Sequence, residues 1–132
     1  MRLLPWRIRA NARRLTSLLA MPIALRWVER APTSVSVSLL RYAWNNDSFA
    51  GDVHYLMAVA REAESTRGPI LECGSGITTL LLGLIAQRRH IEVYTLEHDA
   101  YWLASSQRAL DRYRSRYRYL WTLSAYSKIR FL

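Results

Sequence analysis

The sequence predicts an α/β fold on three observations. Pro69 to Glu72 is a short apolar run that ends in a carboxylate, and Gly74-Ser75-Gly76 follows after one residue. Ile77 to Ala86 is leucine-rich and reads as a helix buried on all sides, with Leu80, Leu81, Leu82, Leu84 and Ile85 against the sheet. Ile91 to Leu96 is β-prone and runs into a second acid, Glu97. Strand, glycine turn, helix, strand and acid is the order of a nucleotide-binding βαβ unit.

The 132 residues suffice for one domain with a substantial core. A single cysteine, Cys73, rules out an internal disulfide and fits a reducing cytoplasm. It reads as a small buried turn residue, with no basic neighbour in sequence to activate it. His54, His90 and His98 lack ligand spacing with cysteine or carboxylates, so no metal is expected.

The net charge of +9 is unevenly placed. Residues 1–30 carry seven arginines against Glu29 alone, a balance of +6. Residues 112–132 carry six basic side chains and no acid, again +6, whereas residues 31–111 hold six basic and nine acidic residues, a balance of −3. A uniformly basic surface would point to nucleic acid. Here a mildly acidic middle, which contains the glycine turn, lies between two basic ends.

In chain order, the first element expected is an amphipathic helix. Leu15, Leu18, Leu19, Ile23 and Trp27 share one helical face, and Pro22 would kink or divide the helix. Packing of that face on the domain and docking on a membrane or anionic surface are both open. No apolar run reaches the ~20 residues that span a bilayer. Pro32 to Ser38 alternates valine with serine and reads as a linker or short edge strand. Asn45-Asn46-Asp47-Ser48 is a turn and cap cluster. A helix is expected from Asp52, with Leu56, Val59, Ala60 and Ala63 inward, ended by Arg67-Gly68-Pro69. After Glu97, Asp99 is the expected N-cap of a helix to about Arg114, and Tyr117 to Leu123 alternates as a third strand.

The chemistry concentrates at the glycine turn. Gly74 suits the tight strand-to-helix bend, and Gly76 lets a ligand lie against the backbone where the helix's first N–H groups point outward. A dinucleotide site wants a third small residue, and Thr79 stands there instead. Glu72 beside the loop would repel a pyrophosphate and favour a ligand with positive charge. Glu97 lies 21 residues after Gly76, the distance at which such an acid accepts hydrogen bonds from ribose hydroxyls.

Glu72-Cys73-Gly74-Ser75-Gly76-x-Thr78-Thr79 resembles the first motif of class I S-adenosylmethionine-dependent methyltransferases, and Leu96-Glu97-His98-Asp99 resembles their second-strand acidic motif. The resemblance covers about residues 42–112. It implies a partial Rossmann-like three-layer sandwich of about three parallel strands with flanking helices. Residues 1–40 would be a basic helical arm and linker, and residues 41–132 the cofactor-binding half. By this likeness Glu72 and the loop of Gly74, Ser75 and Gly76 hold the methionine part of S-adenosylmethionine, Thr78 is a further cofactor-binding residue, Glu97 binds ribose and His98 flanks adenine. No catalytic residue or methyl acceptor is implied. The family's complete domain has seven strands with acceptor-binding loops after the later ones, and this chain has room for three, so a fragment or a diverged C-terminal end is expected. The amino-methylating motif Asp/Asn-Pro-Pro-Tyr/Phe is absent. The exposed strand edge that results would favour self-association. The alternative is an inactive remnant whose basic ends, among them Arg112 to Tyr119, bind nucleic acid such as RNA or an anionic membrane surface. A nicotinamide dinucleotide domain is disfavoured by Glu72 and Thr79.

Overall fold

The computed structural model describes residues 6–46, 50–104 and 108. It is a mixed α/β arrangement, mostly helical, with two parallel strands. The elements run α1 (Trp6–Arg30), α2 (Ser34–Trp44), α3 (Val53–Ser65), β1 (Ile70–Cys73), α4 (Ile77–Arg89) and β2 (Val93–Leu96).

Helix α1 continues through Pro22. The side chain is exposed there, so the Leu18 carbonyl that loses its partner can turn to water. The face that packs is not the expected one. Ser17, Met21, Ala24, Leu25 and Val28 are buried, whereas Leu15, Leu18, Leu19, Ile23 and Trp27 are exposed. The helix is apolar on two sides, and the side with small residues, Ser17 and Ala24, allows closer approach of the neighbouring backbone.

Residues 34–44 form α2, not the expected linker or edge strand. Thr33 caps it: the Ser36 amide donates to Thr33 Oγ1 at 3.2 Å, and the Thr33 amide donates to Ser36 Oγ at 2.8 Å. Ser36, Val37, Leu40 and Ala43 then fall on one helical stripe and are buried. The serine–valine alternation is real, but the burial of this stripe outweighs it. Asn45 ends the helix in the left-handed region at φ 53°, as its place in a turn cluster suggests.

Helix α3 starts on Asp52, whose carboxylate accepts from the Tyr55 amide at 2.8 Å. Leu56, Ala60 and Ala63 are buried and Val59 is partly so, as expected. The helix stops at Ser65, before Gly68. Helix α4 is buried along almost its whole length, Ile77 and Thr79 to Ala86, because it is covered by helices on one side and the sheet on the other.

The strands pair in parallel with Ile70 opposite Val93 and Glu72 opposite Thr95. Alternation gives the sheet one covered face, with Ile70, Glu72, Val93 and Thr95, and one open face, with Leu71 63% exposed and Cys73 exposed. Cys73 is therefore not buried as expected, since it takes the outward position one residue past Glu72. Among the described residues the sheet has two strands, not about three, and no second helical layer covers its open face. The expected third strand and the arginine–tyrosine run, residues 112–123, lie outside the described residues.

One core joins α1 to α4: Met21, Ala24, Leu25, Val28, Val37, Leu40, Leu56, Ala60, Ile77, Leu80, Leu81, Leu84 and Ile85 belong to a single cluster. It runs across the expected boundary at residues 40 and 41. Arg88 closes one end of it. Its guanidinium donates to the Arg30 carbonyl at 2.8 Å and pairs with Glu64, so one side chain ties the ends of α1, α3 and α4 together.

Candidate functional site

The glycine turn leaves β1 where the strand's last hydrogen bond is made, the Gly74 amide donating to the Leu96 carbonyl at 2.7 Å. Gly74 sits at φ 89°, a conformation that L side chains rarely adopt, which is why glycine stands there. Gly76 heads α4, and its amide donates to Thr79 Oγ1 at 2.9 Å. Thr79 thus spends its hydroxyl on closing the turn from the third helical position.

The two acids lie at the same ends of adjacent parallel strands. Glu72 is buried; its carboxylate accepts from Thr78 Oγ1 on α4 and from Thr95 Oγ1 on β2, the latter at 2.8 Å. It therefore fastens the first turn of α4 to the neighbouring strand. Glu97 is covered by the loop itself. Glu97 Oε2 accepts from the Ser75 amide at 2.7 Å and from Ser75 Oγ at 2.8 Å, and Oε1 accepts from the Asp99 amide at 2.9 Å. Asp99 in turn caps the helical turn of residues 100–104, accepting from the Tyr101 and Trp102 amides at 2.8 and 3.0 Å.

These environments drive the two carboxyls apart. Burial pushes Glu72 up, against the hydroxyls of Thr78, Thr79 and Thr95, and the negative charge of Glu97 adds to the rise. The Asp99 amide, with further help from the Ser75 amide and hydroxyl, holds Glu97 down at about 2 despite its cover. Glu97 therefore stays ionised at neutral pH. His98 lies beside it, Nδ1 3.4 Å from Oε1, with an exposed ring.

Of the expected site residues, Ser75 and His98 thus both lie against Glu97, and Glu72 and Thr78 form a second group one strand away, joined to the first by the Gly74–Gly76 backbone. The hydrogen bonds of both carboxylates go to the protein's own groups, not into an open pocket between them. A cleft of about 630 Å³ lies between α3 and β1, lined by Tyr55, Val59, Glu62, Leu71, Glu72, Cys73 and Thr78 among others. It reaches Glu72 and Thr78 but not the loop glycines, Glu97 or His98. Thr95 is the participant that the sequence does not announce; its only signal is its place two residues before Glu97, on the covered face opposite Glu72. No protein-family model, curated protein or solved structure matches the chain.

Proposed function

We propose that residues 70–99 bind S-adenosylmethionine and that the chain is the cofactor-binding part of a class I methyltransferase with a partial Rossmann-like fold. The observation that carries the reading is the pair of buried acids at the ends of adjacent parallel strands, one on each side of a glycine turn. Among the described residues their partners are threonines, a serine, backbone amides and His98, with no lysine or arginine. A pyrophosphate would meet two carboxylates with no compensating cation. A nucleoside carrying positive charge would relieve their mutual repulsion instead. The donor set fits a cationic nucleoside on that ground.

In this reading Glu97, ionised at neutral pH, accepts from the ribose hydroxyls, a bond that Ser75 Oγ now makes. The Gly74–Gly76 backbone and Thr78 border the methionine part beside Glu72, and the exposed His98 ring flanks the adenine. The cleft between α3 and β1 opens on the Glu72 side, where the methionine end would lie. S-adenosylmethionine, when bound, supplies a methyl group on a positively charged sulfur. The contribution of this chain is to hold that group in one orientation, which is where most of the acceleration of such a transfer comes from.

Isothermal calorimetry of the purified chain with S-adenosylhomocysteine tests the reading. A saturable heat that Glu97→Ala weakens by about 1–3 kcal/mol, the worth of hydrogen bonds to a charged acceptor, is the expected result. A folded sample with no saturable heat would count against it.

A further inference from the structure

The unpacked face of α1 is the feature that the nucleoside site leaves unused. Ile8, Leu15, Leu18, Leu19, Ile23 and Trp27 are between 46% and 74% exposed, although the helix has a second apolar face that does pack. At 1.5 Å per residue the row from Ile8 to Trp27 is roughly 29 Å long. Contiguous exposed apolar surface of this kind marks an interaction site more often than scattered leucines do. From charge and placement we propose that this face lies on an anionic lipid bilayer, parallel to its surface.

The arginines select the occupant. Arg26 and Arg30 continue the Leu15, Leu19 and Ile23 row at steps of three and four residues and are exposed, and Arg9 is exposed near its other end. The single acid of the helix, Glu29, is half-buried. A second copy packed on the same face would bury these guanidinium groups against leucine or against each other, with no acid in the row to pair with them. At a bilayer surface the arginine stems run along the apolar layer while their heads reach lipid phosphates, and the leucines enter the acyl boundary. No helix among the described residues is long and apolar enough to cross a membrane, so α1 lies on the surface rather than spanning it.

Co-sedimentation of the full chain with mixed phosphatidylcholine–phosphatidylserine vesicles, and with phosphatidylcholine alone, tests the proposal. Binding is expected to the mixed vesicles, to be weaker on the neutral ones and to fall with added salt. The double variant Leu19→Gln, Ile23→Gln changes two exposed positions and so keeps the core intact. It is expected to bind at least on the order of tenfold more weakly, because two aliphatic side chains no longer enter the acyl boundary. Arg9→Gln with Arg26→Gln should lower binding to the mixed vesicles and flatten its salt dependence. Equal binding by wild type and the leucine–isoleucine variant would overturn the proposal. So would absence of vesicle binding, whether the chain then forms a dimer that the variant dissolves or binds RNA instead. None of these readouts depends on S-adenosylmethionine.

Discussion

Ser75→Ala separates a nucleoside site from a self-contained loop. Ser75 makes two bonds to Glu97 Oε2, from its amide at 2.7 Å and from its hydroxyl at 2.8 Å. The substitution deletes the second and keeps the first. A hydrogen bond to a charged group is worth ~1.5–3 kcal/mol, and because Ser75 is only half-buried the lower end applies. Folding stability should therefore fall by about 1.5 kcal/mol, read as a lower urea midpoint with an unchanged slope. Ligand binding should move the other way. If a ribose hydroxyl takes the place of Ser75 Oγ on Glu97, the wild type must break that bond on binding and the variant need not. Affinity for S-adenosylhomocysteine should then rise by up to about tenfold, since 1.4 kcal/mol is a factor of ten. Calorimetry on both proteins reads the difference. A tenfold loss of affinity in Ser75→Ala would refute the idea that the serine hydroxyl holds the ribose position.

Other outcomes follow from the same geometry. Glu97 has a depressed pKa, so its stabilisation is fully present above about 4.5 and is lost as pH falls through about 2. Acid unfolding of the wild type should be steeper across that window than that of Glu97→Gln, followed by circular dichroism. Glu72 has the opposite sign: its raised pKa means that stability declines as pH rises from about 4.5 through its folded value. Thr95→Val keeps the shape of the buried side chain but removes a donor to Glu72. It should cost about 1–3 kcal/mol at neutral pH and less in acid, where Glu72 is protonated, by urea denaturation at two pH values. Arg88→Ala strips a donor from the Arg30 carbonyl and a partner from Glu64, and should lower stability by about 1–3 kcal/mol in the same assay.

The strand–turn–helix–strand segment was legible because its signals agree with one another. The apolar runs are short, glycines punctuate them, and α4 is apolar all round, so local preference and burial point the same way. Helix α2 was not legible because two periods coexist in one stretch. Val35 and Val37 alternate with serines, but Val35 is 63% exposed and Val37 is fully buried, which a strand reading cannot separate. Helix α1 is legible in the sequence but its orientation is not, for a related reason: with apolar residues on two sides, periodicity does not say which side meets the core. At the site, the spacing of Glu72, Gly74, Gly76 and Glu97 was readable. What each carboxylate bonds was not, since it depends on strand register, which sets Thr95 opposite Glu72, and on the path of the loop, which brings Ser75 to Glu97.

The uneven anchoring of α1 has a consequence of its own. From Trp6 to Thr16 no described side chain is buried, and the lateral ties of that half include the Arg13 guanidinium on Asn45 and over the Tyr42 ring and the Thr16 hydroxyl on Tyr42. From Ser17 onward the helix is part of the core. The two halves share one axis but not one stability. The first can fray and re-form while the rest of the molecule stays closed, and its amides should exchange with solvent deuterium long before those of Leu25 and Val28. The helix is thus a mast stepped in the domain by its C-terminal half, and its N-terminal half, tied through exposed side chains, is expected to open first.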